Sequence, residues 1–278
     1  NWIETLPFPL ASILRRYESD LEPERKLEHL LNFFEASAVF FGTIMLSAMN
    51  SDQNLLIKYR KKIFTDQNRK INLKKSYFGQ WVILNRRLAN IFRSIMGKND
   101  GFNRCKDLFG ISSREILNLF FNKNIYNILD KCNLYRNEWK GHPPITSKTD
   151  TKERLRLIQN KLTSLREIIS DKFEEILFIT PEEDLKTSDS GLLYQNCQLL
   201  SGSRMIHKRE RIQVIKPLNI DSIYMKEQKN LKVLELIPFF QMMPAKEEKI
   251  ACYFYDQIKN ENIHWNSYLF KEKKEKNV

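Results

Sequence analysis

Residues 136–142 read Arg-Asn-Glu-Trp-Lys-Gly-His, which puts a phosphate-binding side chain and a proton-transferring one within a single short stretch. An arginine holds a phosphate through paired, charge-assisted hydrogen bonds. A histidine exchanges protons near neutral pH. Together these two chemistries are sufficient to cleave RNA without a metal ion. The chain has only four histidines, so the pairing carries weight. On an unbroken helix Arg136 and His142, six positions apart, would point roughly 240° apart. Gly141 alters that expectation, because glycine suits the left-handed turn that ends a helix. Pro143-Pro144 then forbids simple helical continuation. The site is therefore conditional: the helix must break at Gly141 so that His142 turns back towards Arg136 or towards a second copy. The competing structural reading pairs Arg136 with a carboxylate such as Glu138 or Glu115 and leaves His142 capping a helix end. Trp139 reads as core or dimer surface rather than a base-stacking platform.

The other histidines carry less. His29 sits beside Glu28 on an apolar helix and reads as a polar-edge residue. His207 lies in the basic run Arg-Met-Ile-His-Lys-Arg-Glu-Arg at 204–211, in or before a strand, which could touch nucleic acid but reads rather as the charge of an exposed edge strand that resists aggregation. His264, beside Trp265, has no partner at metal-ligand spacing. Glu182-Glu183-Asp184 reads as an acidic knot in a linker, and no second acidic cluster supports a nuclease metal site. No metal and no cofactor are expected. The four cysteines, at 105, 132, 197 and 252, form no CxxC pair. That spacing argues against a zinc site or a dense disulfide framework. No secretory pattern opens the sequence, and a cytoplasmic location is expected.

The formal charge is +12, and about +10 of it falls in residues 1–177. The densest part is residues 58–75, where Lys58, Arg60, Lys61, Lys62, Arg69, Lys70, Lys74 and Lys75 face one acid, Asp66. Such a stretch fits a polyanion such as RNA, or is simply a solvated helix face and loop. Lys140 is a further candidate for a phosphate contact.

The elements that must position these groups are helical first. Hydrophobic residues make up 42% of the chain, enough to build a core. The helical period runs through Leu10, Ile13, Leu14 and Tyr17 behind Pro9. It then runs through Leu27, Leu30, Leu31, Phe34, Phe41, Ile44 and Ala48 from Pro23 onward. The longest apolar stretch, residues 36–49, is broken by Ser37, Thr43 and Ser47 and reads as a buried bundle helix, not a membrane span. Ser51-Asp52 predicts a helix start with an end near Phe64, and Ser76 a cap for a helix stopped by Gly97. Ser112-Ser113 with Glu115 opens a short helix through Phe120. Residues 124–140 form the helix that carries the motif. A last helix follows a polar loop at 146–151 and runs to Phe173. Beyond residue 178 the runs 192–200, 211–216, 222–226, 231–237, 250–255 and 263–269 are short and rich in β-branched and aromatic residues. They predict one antiparallel sheet of about five or six strands. The apolar stretch 238–244 reads as a connector that either binds a partner or packs against the helices. The charged end, residues 271–278, is expected to fray. The fold class is thus α+β, with a helical domain over 1–177 and a small antiparallel β domain over 178–278.

Arg136 followed by polar Asn137, and then by His142 after a gap of five residues, in an all-helical bundle, resembles the signature of the HEPN superfamily. The resemblance covers residues 1–177 and not the sheet region. It implies a HEPN-like helical bundle of a bacterial defence or toxin system, acting as a metal-independent endoribonuclease on RNA. It also implies roles: His142 in proton transfer, Arg136 in stabilising charge on the scissile phosphate, and Asn137 in orienting one of them. A homodimer that brings two motifs face to face is implied too. The alternative is a non-catalytic HEPN-like dimerisation or nucleic-acid-binding module, with a β domain that binds a partner protein in a larger defence or restriction assembly.

Overall fold

Helix α3 (Pro23–Asn50) is the element around which the rest is built. Proline opens it, where a missing N–H costs nothing, and from Phe33 to Met49 every residue is buried. The polar positions of that stretch satisfy themselves locally. The hydroxyls of Ser37, Thr43 and Ser47 donate to the carbonyls of Phe33, Val39 and Thr43 at 2.7, 2.7 and 2.6 Å. By length and composition α3 could cross a membrane, but 89% of its most apolar window is buried inside the protein. That is the signature of a bundle core helix.

The computed structural model describes residues 2–66, 69–141, 147–245 and 249–277. Two helices precede α3, the short α1 (Trp2–Thr5) and α2 (Phe8–Ser19). After it come α4 (Gln53–Phe64) and the two-residue strands β1 (Thr65–Asp66) and β2 (Arg69–Lys70). Asp52 caps α4 by accepting from the Leu55 N–H at 3.0 Å. Next are α5 (Phe78–Met96), α6 (Gly101–Phe109), α7 (Arg114–Phe120), α8 (Lys123–Gly141) and α9 (Lys148–Ile169). Helices α2, α5, α8 and α9 surround α3, and α8 packs between α5 and α9.

The sequence reading of the helices needs three corrections. Helix α6 fills the stretch after Gly97 that the reading left without an element. Its nine residues are too few for a clear period. Helix α9 ends at Ile169, and Phe173 sits in a separate 3-10 turn (Lys172–Glu175). Tyr77 rather than Ser76 occupies the cap position of α5, and the Ser76 hydroxyl instead accepts from the Trp81 indole at 2.7 Å.

The second half forms two sheets rather than one. The first has the order β5-β4-β3-β6-β7, built from β3 (Ile176–Thr187), β4 (Leu193–Leu199), β5 (Arg209–Val214), β6 (Tyr224–Glu227) and β7 (Val233–Glu235). The second has the order β11-β10-β9-β8, built from β8 (Phe240–Pro244), β9 (Ile250–Lys259), β10 (Asn262–Ser267) and β11 (Glu272–Asn277). All named pairings are antiparallel. Helices first and antiparallel sheets after make this an α+β protein.

Three segments that the sequence reading left outside the sheet are strands. The acidic stretch Glu182–Asp184 belongs to β3, where the pairing with β4 shifts between Pro181 and Leu185. Proline is tolerated at such an irregularity. Its carboxylates have cross-strand partners: Gln198 and Arg209 donate to Glu182 at 3.0 and 2.8 Å, and Asn196 donates to Asp184 at 2.7 Å. The apolar connector is β8, and its phenylalanines turn into the helices. Phe239 packs edge-on to Trp81 at 5.0 Å, and Phe240 stacks on Phe40 at 5.5 Å. The charged end is β11, whose Glu272 accepts from the Tyr253 hydroxyl at 2.9 Å.

Helices and sheets share a core. Phe40 of α3 contacts Phe173, Phe178 of β3 and Phe240 of β8 within one continuous buried cluster. A carboxylate joins them as well. Glu227 of β6 accepts from the Ser112 and Ser113 N–H groups at 2.8 and 3.2 Å, just ahead of α7. The second sheet also grips the connector between β2 and α5. Ile258 N–H donates to the Lys74 carbonyl at 2.8 Å, the Tyr255 hydroxyl donates to Leu73, and Lys75 bridges Gln257 in antiparallel fashion.

Candidate functional site

Helix α8 presents the motif. Its inward residues Ile125, Leu129 and Cys132 are fully buried, which sets the rotation of the helix and places Arg136 at the margin of the core. The Arg136 guanidinium donates to Oε1 of Glu35 at 2.6 Å. The Arg136 side chain is 21% exposed and that of Glu35 only 9%. The guanidinium also lies 6.0 Å from the ring centroid of Phe78, the first residue of α5. A carboxylate this deep is strongly disfavoured unless a cation and hydrogen bonds accompany it. The Arg136–Glu35 pair therefore fixes the arginine and balances the acid.

Glu35 has a second neighbour. The phenol of Tyr268, in the turn between β10 and β11, lies within electrostatic reach of the Glu35 carboxylate. Burial first, and the Glu35 charge second, push that phenol well above the usual tyrosine range. The same turn touches α2 and α3 elsewhere: Arg16 donates to the Leu269 carbonyl at 3.2 Å, and Lys271 pairs with Glu28 at 2.9 Å.

Around Arg136 the helix surface divides. Asn137 and Glu138 are exposed. Tyr135 and Trp139 stack in parallel at 5.3 Å, and the Arg154 guanidinium of α9 lies 5.4 Å from the Trp139 ring. Trp139 thus packs against the core and ties α8 to α9. The carboxylates that the sequence offered to Arg136 are engaged otherwise or exposed: Glu115 pairs with Lys172 at 3.2 Å, and Glu138 faces solvent. The helix extends to Gly141, so the break that the site requires is not seen within the described residues. His142 and Pro143-Pro144 lie outside the described residues, as do the side chains of Arg69 and Lys140.

The described basic residues of the stretch 58–75 are exposed one by one. Lys58, Arg60, Lys61, Lys62, Lys70, Lys74 and Lys75 are all exposed. Among the described residues none of the seven is in an ion pair. An open groove of about 750 Å³ runs between Ile57, Arg60, Lys61, Phe64, Thr65 and Lys70. The connector then carries Lys75 to within three residues of Phe78, which lies against Arg136. Three residues of extended chain span about 10 Å. Lys75 therefore lies close to the motif.

The remaining histidines have structural settings. His29 is buried and its ring contacts Asp20 at 3.2 Å, so the polar-edge reading fails. His264 contacts Glu275 across β10 and β11 at 3.4 Å. His207 lies in the loop just before β5, and two arginines of the run, Arg209 and Arg211, are on that edge strand of the first sheet. The ring is edge-on to Phe8 at 4.7 Å, with both ring nitrogens buried and unpartnered. The four cysteines are free and buried, and burial raises each thiol, Cys197 to about 11 and Cys105 to about 12. Among the described residues no three acidic, histidine or cysteine side chains gather as a ligand set.

One residue escaped the sequence reading. Glu35 had a usable signal, since it is the one carboxylate at the entrance to the apolar stretch of α3, and a buried acid demands a cation. No family model, no curated protein and no solved structure matches this chain.

Proposed function

We propose that the protein is a metal-independent endoribonuclease of the HEPN type, its helical part a HEPN-like bundle and its site completed by a second copy of the chain. The observation that carries this reading is the partly exposed Arg136 guanidinium at the end of α8, beside exposed Asn137 and close to exposed Lys75. In the proposed reaction His142 takes the proton from a ribose 2′-hydroxyl. The 2′-oxygen attacks the adjoining phosphorus and the bond to the 5′-oxygen breaks, the leaving oxygen taking its proton from the protonated His142, to give a cyclic phosphate, a 5′-hydroxyl and neutral His142. Arg136 stabilises charge on the phosphoryl oxygens, and Asn137 orients the phosphate or the imidazole. The exposed lysines hold the rest of the strand. RNA, in the cytoplasm and within a bacterial defence or toxin system, is the substrate class.

A second reading rests on the Arg136–Glu35 pair, a carboxylate pairing of the kind that the competing sequence reading expected with Glu138 or Glu115. Glu35 offsets the charge of Arg136, which suits a non-catalytic bundle that dimerises or binds nucleic acid while the sheets take a partner protein. The two separate cleanly. Wild-type protein with labelled RNA in EDTA is expected to cut, and His142→Ala to lower the rate by about 100-fold or more while leaving the fold intact. Intact RNA with wild type, or equal cutting by His142→Ala, rejects the nuclease and leaves the binding module.

A further inference from the structure

The two faces of the first sheet have different neighbours. Phe178 of β3 and Met225 of β6 belong to the core shared with the helices. Side chains alternate along a strand, so Leu177 and Lys226 lie on the opposite face. The register pairs these two directly, and the same face continues through Leu199 of β4 and Ile212 of β5. Leu199 and Ile212 belong to a separate small apolar cluster, against which Leu177 packs. An open cleft of about 750 Å³ lies over this part of the face, with Leu177, Leu199, Ile212 and Lys226 among its walls.

Lys226 is the unusual member. A lysine is almost never fully buried unless a counter-charge accompanies it, yet Lys226 is only 5% exposed. Its Nζ donates to the carbonyls of Glu227 and Gln228 at 3.2 and 3.1 Å. Among the described residues no carboxylate forms an ion pair with it, and those around the cleft are engaged otherwise or exposed. Glu4 accepts from the Ser203 hydroxyl at 2.7 Å, Glu210 pairs with Lys208, and Glu174 faces solvent. Glu227, next in sequence, points to the other face, where the Ser112 and Ser113 N–H groups hold it. An ammonium has three donors, and two are spent on neutral carbonyls. Burial lowers the proton affinity of this amine below the ordinary lysine value, against the pull of Glu227. An anion in the cleft supplies a counter-charge and takes the remaining N–H. One donor matches one carboxylate oxygen, whereas a phosphate presents three acceptors. The apolar floor beside the ammonium suits an aliphatic chain.

We propose that this cleft binds a small organic carboxylate, its head on Lys226 and its aliphatic part on Leu177, Leu199 and Ile212. The site shares no residue with the Arg136 motif and does not depend on the nuclease reading.

The test titrates the full chain with octanoate in a calorimeter. Wild type is expected to bind it. Octanol, which has the same chain without the charge, and inorganic phosphate are each expected to bind about tenfold more weakly or less. Lys226→Met keeps the length of the side chain and removes its charge, and it is expected to weaken octanoate by about tenfold or more. Leu177→Trp leaves Lys226 in place and fills the cleft, so the same loss is expected, and this variant decides the matter if Lys226→Met does not fold. Lys186→Ala removes an exposed lysine elsewhere on the same sheet and is expected to leave the affinity unchanged. Wild type that ignores octanoate overturns the proposal, as does full affinity in the folded Lys226→Met or Leu177→Trp. Octanol bound as tightly as octanoate also overturns it, since the cleft would then be an apolar groove only. Phosphate bound more tightly than octanoate overturns the carboxylate assignment.

Discussion

At the scale of single residues, burial decides which charges act and which are only balanced. His207 shows the cost of burial without a partner. Its ring sits against Phe8, both nitrogens lack hydrogen bonds, and desolvation lowers its basicity below the ordinary histidine value of 6.5. In the unfolded chain the ring protonates near 6.5, so below that pH the unfolded state binds the extra proton first. Stability is therefore lost as pH falls below about 6.5. Denaturant titrations at pH 7.5 and 5.5 are expected to show a larger loss for wild type than for His207→Phe. Equal losses would mean that the buried imidazole does not contribute. The motif was legible at this scale only in part. Arg136, Asn137 and His142 announce themselves by type and spacing. The partner of Arg136 does not, because Glu35 precedes it by about a hundred residues and meets it only when α3 and α8 pack. The nearby acids Glu138 and Glu115 were the wrong choices for a physical reason: both stay in water, where an ion pair gains little.

At the scale of elements, periodicity resolved what was long and amphipathic. The 28 residues of α3 and the 19 of α8 carry enough turns for the apolar stripe to be read, and a capping aspartate marked the start of α4. Strands with a proline, an acidic run or a charged end were missed, since β3, β8 and β11 owe their place to neighbouring strands rather than to their own alternation. Helix α4 carries the functional prediction at this scale. Lys58, Lys61 and Lys62 are exposed on its surface, and among the described residues no acid pairs with them. If they contact single-stranded RNA, each releases counterions on binding. Replacing all three by alanine is expected to reduce the slope of log affinity against log salt by about 2. A slope equal to that of wild type would place the RNA elsewhere.

At the scale of the whole molecule, helices and sheets are not separable bodies. Phe40 meets Phe178 and Phe240 in one cluster, and Trp81 meets Phe239. A chain cut after residue 177 leaves these faces of α3 and α5 bare. Such a fragment is expected to bind a hydrophobic dye and to melt without a sharp transition. A cooperative transition close to that of the full chain would show that the bundle stands alone. The change from helical to strand pattern near residue 178 was visible in the sequence, but its burial was not, because composition reports what each segment is made of and not what it leans on. The hold of the second sheet on the connector ahead of α5 adds a consequence in time. On a growing chain Lys74 emerges about 180 residues before Ile258, which at ~5–20 residues per second is a delay on the order of ten seconds. The basic connector is made early and fastened late, so for that interval a nascent chain carries its lysines without their final clasp.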